Sequence, residues 1–209
     1  ISESMRAEIR SLHQAQRNTN DGISMVQTAE SALQEVTNII SRMRELAVES
    51  SSGVLQATER AYLATEFVAL QTEIDRIADS TNFNGLSLAN GSTASVAVQV
   101  GINDSANDRI TVGLVDANAA ALAIASATTD LSTAATSQAA ITALDTALDS
   151  VNNGRASLGA SQNRLTSALH NLENYTENLT QAESTIRDVD FAQETADLTR
   201  NQVFAQAGV

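Results

Sequence analysis

A seven-residue apolar repeat in the second half of the chain constrains its fold more than any other feature. From Ile141 to Ile186 the register advances in alternating steps of three and four residues, mostly on aliphatic side chains. Such a repeat is typical of a long helix that buries one narrow seam against partner helices. At 1.5 Å per residue the helix is roughly 70 Å long, more than the diameter of a compact domain. The repeat therefore predicts a rod. Its apolar members are Ile141, Leu144, Leu148, Val151, Leu158, Leu165, Leu169, Leu172, Leu179 and Ile186.

Four polar residues occupy positions in the same register, namely Arg155, Gln162, Thr176 and Glu183. Polar residues at core positions of a helical repeat can fix the register and the choice of partner. Alternatively, the seam turns toward solvent at these positions. The sequence leaves both interpretations open.

The first half supplies the partner helices. A second apolar repeat, with some polar members, runs through residues 1–50 and predicts a long N-terminal helix. Residues 18–22 weaken this helix locally, because Asn, Asp and Gly are poor interior helix formers. We expect one helix, with two helices as the alternative. Turn residues follow, and Thr58 with Glu59 is typical of the start of a second helix within residues 55–80. Short connections force neighbouring helices to run antiparallel, so the predicted fold is a mainly α, elongated antiparallel bundle.

The period changes to two within residues 86–136. Val96, Val98 and Val100 alternate with small or polar residues, as do Ile110, Val112 and Leu114, which predicts a β-hairpin with a long polar loop. An Ala/Ser/Thr-rich segment follows, and we expect it to pack loosely on the rod. The long C-terminal helix is predicted over residues 137–187, and a terminal helix, capped by Asp190, over 190–207. All five segments are expected to form a single elongated domain.

Composition excludes several classes of function. The 209 residues include no Cys and no Lys, which excludes thiolate metal sites, cysteine nucleophiles, Schiff-base lysines and a P-loop. The formal net charge of −13 opposes nucleic acid and anionic lipid as partners. No apolar run is long enough for membrane insertion. With only His13 and His170 as imidazoles, far apart in sequence, we expect no metal, no cofactor and no catalytic site, hence no enzyme.

Short motifs in both halves resemble those of bacterial flagellins. In the first half they lie at residues 17–24, 42–50 and 82–85, with the sequences RNTNDGIS, RMRELAVES and NFNG. In the second half they include LGASQNRL at residues 158–165, DVDFA at 188–192 and QVFAQAG at 202–208. The order and spacing of these motifs match the family's over both halves of the chain.

The resemblance implies a rod-like core domain and a function. Flagellins are non-enzymatic structural subunits of the motility filament, secreted and displayed as the flagellum at the cell surface. The implied partners are other flagellin subunits in a homopolymer, the flagellar export chaperone, the cap protein and the vertebrate flagellin-sensing Toll-like receptor. The family's terminal polymerisation segments and large outer domains look absent, so we expect a truncated short flagellin that stays monomeric on its own.

The resemblance also implies interface residues. Arg42, Leu46 and Glu66 match the family's principal receptor contacts, with Arg44, Glu45 and Glu49 nearby. Arg42, Glu45, Leu46 and Glu49 are spaced so that they share one face of a helix, and an exposed Leu with charged neighbours suits the centre of an interface. The alternative is that Arg42 and Glu45 form a solvated pair and Leu46 belongs to the core.

A second functional hypothesis is a cell-surface flagellin homologue acting as an adhesin or polysaccharide-binding protein. Its motivation is the compact outer region, which leaves the hairpin exposed. The acidic net charge disfavours an anionic polysaccharide.

Overall fold

The structure, a computed structural model, describes residues 2–187 and 191–207. Helix α1 spans Ser2–Ser50, α2 spans Ala57–Ser80, α3 spans Ala134–Arg187 and α4 spans Phe191–Ala207. Strands β1 (Asn82–Phe83) and β2 (Leu86–Ser87) form one hairpin, and β3 (Ser95–Gln99) and β4 (Arg109–Gly113) form another. The predicted cap of the last helix, Asp190, lies outside the described residues.

Helices α1 and α3 pack side by side in opposite directions. Arg6, near the start of α1, pairs with Glu183 near the end of α3. Arg44, near the end of α1, pairs with Asp145 near the start of α3. With 49 and 54 residues, the two helices are about 74 and 81 Å long. The predicted antiparallel rod is confirmed.

Polar members of the repeat pair across the seam, the contact between α1 and α3. Arg155 Nη2 lies 2.8 Å from Glu30 Oε1, and the side chains are 27% and 33% exposed. Gln16 Nε2 donates to Thr176 Oγ1 at 3.1 Å. Thr176 is buried and its hydroxyl also donates to the Leu172 carbonyl. At these levels polar residues join the helices instead of turning to solvent, which favours the register-fixing interpretation.

A buried arginine, Arg60, holds the connection between α1 and α2, residues 51–56. The sequence analysis did not identify this residue. The Arg60 guanidinium donates from Nη1 to the Ser50 carbonyl, and from Nη2 to the carbonyls of Ser52 and Leu55 at 2.9 and 3.0 Å. A cation at this position satisfies free carbonyls at the C-terminal end of α1 and opposes the negative end of its dipole.

The N-cap of helix α2 lies two residues before the predicted one. It is Gln56 rather than Thr58, and the Glu59 carboxylate accepts a 2.5 Å hydrogen bond from the Gln56 backbone N–H. This arrangement is half of a capping box, in which the third helical residue reaches back to the cap. A Gln cap is not among the common N-cap residues, which explains why the pattern missed it.

The predicted hairpin of alternating valines is confirmed. Val96 pairs with Val112 and Val98 with Ile110, so one face of β3–β4 is buried. The β1–β2 hairpin was not predicted. Its turn residues Asn84 and Gly85 have φ of 51° and 80°, as a type I′ turn requires, and Asn-Gly is the usual sequence signal for that turn.

Helix α1 is continuous through the weak point at residues 18–22. Gly22 is buried at the place where the β3–β4 hairpin approaches. A Cβ at position 22 would lie 3.0 Å from both methyl groups of Val98. The glycine that weakens the helix locally is therefore what lets the hairpin pack on it.

The Ala/Ser/Thr-rich segment before α3 is well packed, so the expectation of loose packing was wrong. Ile124 and Leu131 are fully buried in the core. Buried hydroxyl and amide groups fix the backbone: Ser50 Oγ donates to the Leu131 carbonyl at 3.0 Å, and Gln71 Nε2 donates to the Ile124 carbonyl at 2.6 Å. Irregular backbone is stable here because its polar groups find side-chain partners.

Two glycines of α3 provide a matched test of this packing. A Cβ at Gly154 would lie 2.3 Å from Cγ2 of Val115, whereas a Cβ at Gly159 would meet no atom within 4 Å. We expect Gly159→Ala to stabilise the protein by ~0.5–1 kcal/mol through helix propensity. Gly154→Ala gains the same propensity but displaces a β-branched side chain, so we expect a net loss of about 1 kcal/mol.

Urea unfolding monitored by circular dichroism measures both changes. Equal stabilisation by the two substitutions would contradict the close packing of Val115 on α3.

Candidate interaction surface

The predicted interface residues lie at the end of the rod where α1 and α2 run side by side. Arg42 links the two helices: its Nε donates to Glu66 Oε1 at 2.9 Å and its Nη1 donates to Glu45 Oε2 at 2.9 Å. All three side chains are between 45% and 68% exposed. These hydrogen bonds, with that to Glu45 contributing most, raise the pKa of Arg42 above its ordinary value. The structure thus brings together three of the six predicted residues in one ion-pair network.

Arg44 belongs to a different side of α1. Its Nε donates to Asp145 Oδ1 of α3 at 2.6 Å, so the Arg44 guanidinium faces α3 rather than α2. The hydrogen bond from Arg44 holds the pKa of the Asp145 carboxyl below its ordinary value. Arg42 and Arg44 therefore present their charges to opposite sides of the same helix.

Leu46 is not exposed, and the expectation of an apolar interface centre at this residue was wrong. It is 1% exposed and belongs to the hydrophobic core. The physical reason is that α1 packs against both α2 and α3, so its buried stripe is wider than the single seam counted from the repeat. The alternative reading, a solvated Arg42–Glu45 pair beside a core Leu46, matches the structure.

Val48 is an exposed apolar residue on the α1 side of this region, and the sequence analysis did not identify it. It is 47% exposed and lines a shallow depression together with Ser41, Arg44, Glu45 and Glu49. Glu49 is exposed beside it. We call the outer surface formed by Arg42, Glu45, Val48, Glu49 and Glu66 the α1–α2 surface.

A groove of about 770 Å³ lies between the loop of the β3–β4 hairpin and helices α1 and α3. Amide side chains line it, including Asn103 and Asn107 of the loop and Asn163 and Asn171 of α3. Within residues 2–187 and 191–207, no three His, Cys, Asp or Glu side chains are grouped so that they could hold a metal ion.

The two histidines make short-range contacts on their own helices. His13 Nδ1 lies 3.1 Å from Gln16 Oε1, and His170 Nδ1 lies 3.3 Å from Glu173 Oε2. Both contacts are at the surface, between residues one helical turn apart.

Comparison with known proteins gives the family. Residues 1–94 match the model of the bacterial flagellin N-terminal helical region, and residues 141–209 match that of the C-terminal helical region. A flagellin of Halalkalibacterium halodurans is 46% identical over 207 residues, covering 99% of this chain and 75% of that protein. The chain belongs to the bacterial flagellins.

Further relatives agree with the assignment. The flagellar filament 30.7 kDa core protein of Treponema maltophilum is 39% identical over 220 residues, covering all of this chain and 77% of that protein. The crystal structure of Bacillus cereus flagellin superposes with a TM-score of 0.65 at 37% identity, covering 75% of this chain and 88% of that one. This flagellin is accordingly a structural subunit of the flagellar filament, which is extracellular, and the relatives do not favour the adhesin alternative. Among the described helices, none has the length and apolar character that crossing a membrane requires.

The Arg44–Asp145 pair generates a pH prediction. Because the pKa of Asp145 is lowered in the folded state, the pair stabilises the fold above the ordinary aspartate pKa, and this contribution is lost as pH falls through the folded value. We expect Arg44→Gln to raise the Asp145 pKa toward its ordinary value, as measured by NMR titration of the carboxyl carbon. Arg42→Gln, on the opposite side of α1, serves as the control and leaves that titration unchanged. An unaltered Asp145 titration in Arg44→Gln would show that the pair does not form.

Proposed function

We propose that this flagellin uses the α1–α2 surface to contact neighbouring subunits in the filament. Identical rods that pack head to tail through two different patches form an open helical array, so each rod needs complementary surfaces on its flanks. The observation that carries the proposal is the Arg42 network, which fixes one cation and two carboxylates on the outside of two packed helices.

The composition of this surface supports contact with another protein. Val48 supplies exposed apolar area in the depression that Glu45 and Glu49 also line. Glu45 connects this depression to the Arg42 network, because its carboxylate accepts a hydrogen bond from Arg42. An arginine at an interface is well suited to carboxylate partners because its planar guanidinium presents several donors in a fixed fork. Since the network already orders Arg42, less side-chain entropy is lost on association.

We further propose, from the family resemblance, that the vertebrate flagellin-sensing Toll-like receptor binds this same surface. In that case filament packing covers the receptor site, and only free subunits are recognised. Arg44 is then a neighbouring contact, because it lines the depression beside Val48 while its guanidinium pairs with Asp145 of α3. The export chaperone and the cap protein are proposed partners on the same basis, and the proposed role includes no catalysis.

A charge swap tests the assembly proposal in the subunit as purified from filaments. Arg42→Glu and Glu66→Arg should each block polymerisation, because each leaves like charges together on the surface. The double variant restores an Arg–Glu contact between α1 and α2, and exposed pairs contribute little to folding stability, so its thermal unfolding should match the wild type. Its polymerisation, measured by sedimentation and electron microscopy, should remain lost because a neighbouring subunit meets reversed charges. Recovery of filaments in the double variant would contradict an intermolecular role.

Leu46 requires a different expectation. Leu46→Ala removes a fully buried side chain, so we expect a loss of ~2–5 kcal/mol in the free energy of unfolding. Any reduction in receptor binding by this variant then reflects the core, and Val48→Ala is the cleaner probe of apolar contact. Denaturant unfolding distinguishes the two: a stability of Leu46→Ala equal to that of Val48→Ala would mean that Leu46 is not in the core.

A further inference from the structure

The chain contains three Asn-Gly dipeptides, at residues 84–85, 90–91 and 153–154. In such a pair the glycine backbone nitrogen can lose its proton and attack Cγ of the asparagine side chain. The C–N bond to the side-chain amide breaks, ammonia leaves and a five-membered succinimide forms. Water then opens the ring at either carbonyl, giving aspartate or isoaspartate. Only water is consumed, so the step needs no enzyme, oxidant or cofactor.

We propose that Asn84 is a site of spontaneous succinimide formation and isoaspartate accumulation in the folded subunit, while the other two asparagines are protected. The proposal is independent of the assembly function.

The β1–β2 turn leaves the reacting groups of Asn84 and Gly85 free. Both residues are exposed, and a Cβ at Gly85 would meet nothing within 4 Å. Among the described residues, none forms a hydrogen bond with the Asn84 side chain. The hairpin has two residue pairs, Asn82 with Ser87 and Phe83 with Leu86, and the Leu88 N–H donates to the Thr81 carbonyl just beyond them. Opening the turn itself far enough for attack therefore disrupts little structure.

Asn90 is held in an unreactive position. Its Oδ1 accepts hydrogen bonds from the Ser92 backbone N–H at 3.1 Å and from Ser92 Oγ at 2.7 Å. Its Nδ2 donates to Asp79 Oδ1 at 3.4 Å. The Asp116 carboxylate lies against Gly91, where a Cβ would come within 2.3 Å of Oδ2. These contacts fix the side-chain amide, and the nearby negative charges oppose loss of the Gly91 proton.

Asn153 is protected by regular helix. Asn153 and Gly154 lie in the interior of α3, where each backbone N–H donates to the carbonyl four residues earlier. Val115 packs directly on Gly154. Attack by the Gly154 nitrogen therefore requires opening the middle of the seam, among the costliest local openings in such a protein.

Isoaspartate at position 84 would change the turn. The reaction inserts the former side-chain carbon into the backbone, so a type I′ turn can no longer close β1 onto β2. Phe83 and Leu86, which flank the turn, pack against the hydrophobic core at the end of α2. Modification thus adds a negative charge and loosens the packing of the β1–β2 hairpin on the core.

The test is peptide mapping by mass spectrometry after incubation of the native protein at mildly alkaline pH, with isoaspartate detected by enzymatic methylation. We expect deamidation at Asn84 to proceed at least about tenfold faster than at Asn90 or Asn153, reflecting the lower cost of local opening. In urea, where all three dipeptides are unfolded, the rates should converge.

Asn84→Gly is the matched control, because Gly-Gly also forms type I′ turns. This variant should lack the fast deamidation seen at position 84, and the slower deamidation rates at Asn90 and Asn153 should be unchanged. Equal native-state rates at the three sites, or faster reaction at Asn90 or Asn153, would overturn the proposal. So would persistence of the fast phase in Asn84→Gly.

Discussion

The antiparallel pairing of α1 with α3 is the constraint on which the rest of the structure depends. Neither helix is a stable isolated structure by virtue of propensity alone, since a long amphipathic helix is stabilised mainly by packing of its apolar face. Leu33, Ile40, Leu144 and Leu158 are fully buried along this contact. Polar pairs, including Glu30 with Arg155, join the helices between apolar layers. The hairpins, α2 and the segment before α3 all pack on this two-helix frame.

The end of the frame near Ser50 combines rigidity with exposed charge. Arg60 binds the last carbonyls of α1 and the connection to α2, and Ser50 Oγ reaches the carbonyl of Leu131. These buried bonds set the position of α2 against α1. The Arg42–Glu66 pair crosses the same two helices on the outside. The α1–α2 surface is therefore supported by two helices whose relative position is fixed, which suits a structural subunit that must present the same face in every copy.

Much of the fold could be predicted because periodicity reports directly on burial. The repeat from Ile141 to Ile186 predicted α3, and alternating valines predicted β3–β4. The site was less predictable, since a repeat reveals one buried face and Leu46 is covered by a second neighbour. The segment before α3 gave no periodic signal because most of its residues are small Ala, Ser and Thr side chains, so its burial depends on tertiary partners such as Gln71. Arg60 had no sequence signature, because its acceptors are backbone carbonyls.

Gly22 of α1 and Gly154 of α3 have a consequence for how the rod is assembled during folding. A seven-residue apolar pattern is degenerate: sliding α3 along α1 by a whole heptad again places apolar residues opposite apolar residues. Val98 enters α1 at Gly22, and Val115 enters α3 at Gly154. Val98 lies in β3 and Val115 just after β4, so the β3–β4 hairpin contacts both long helices and fixes the axial position of one relative to the other. A slipped pairing would set bulkier residues against these valines, and steric exclusion would thereby select a single axial alignment.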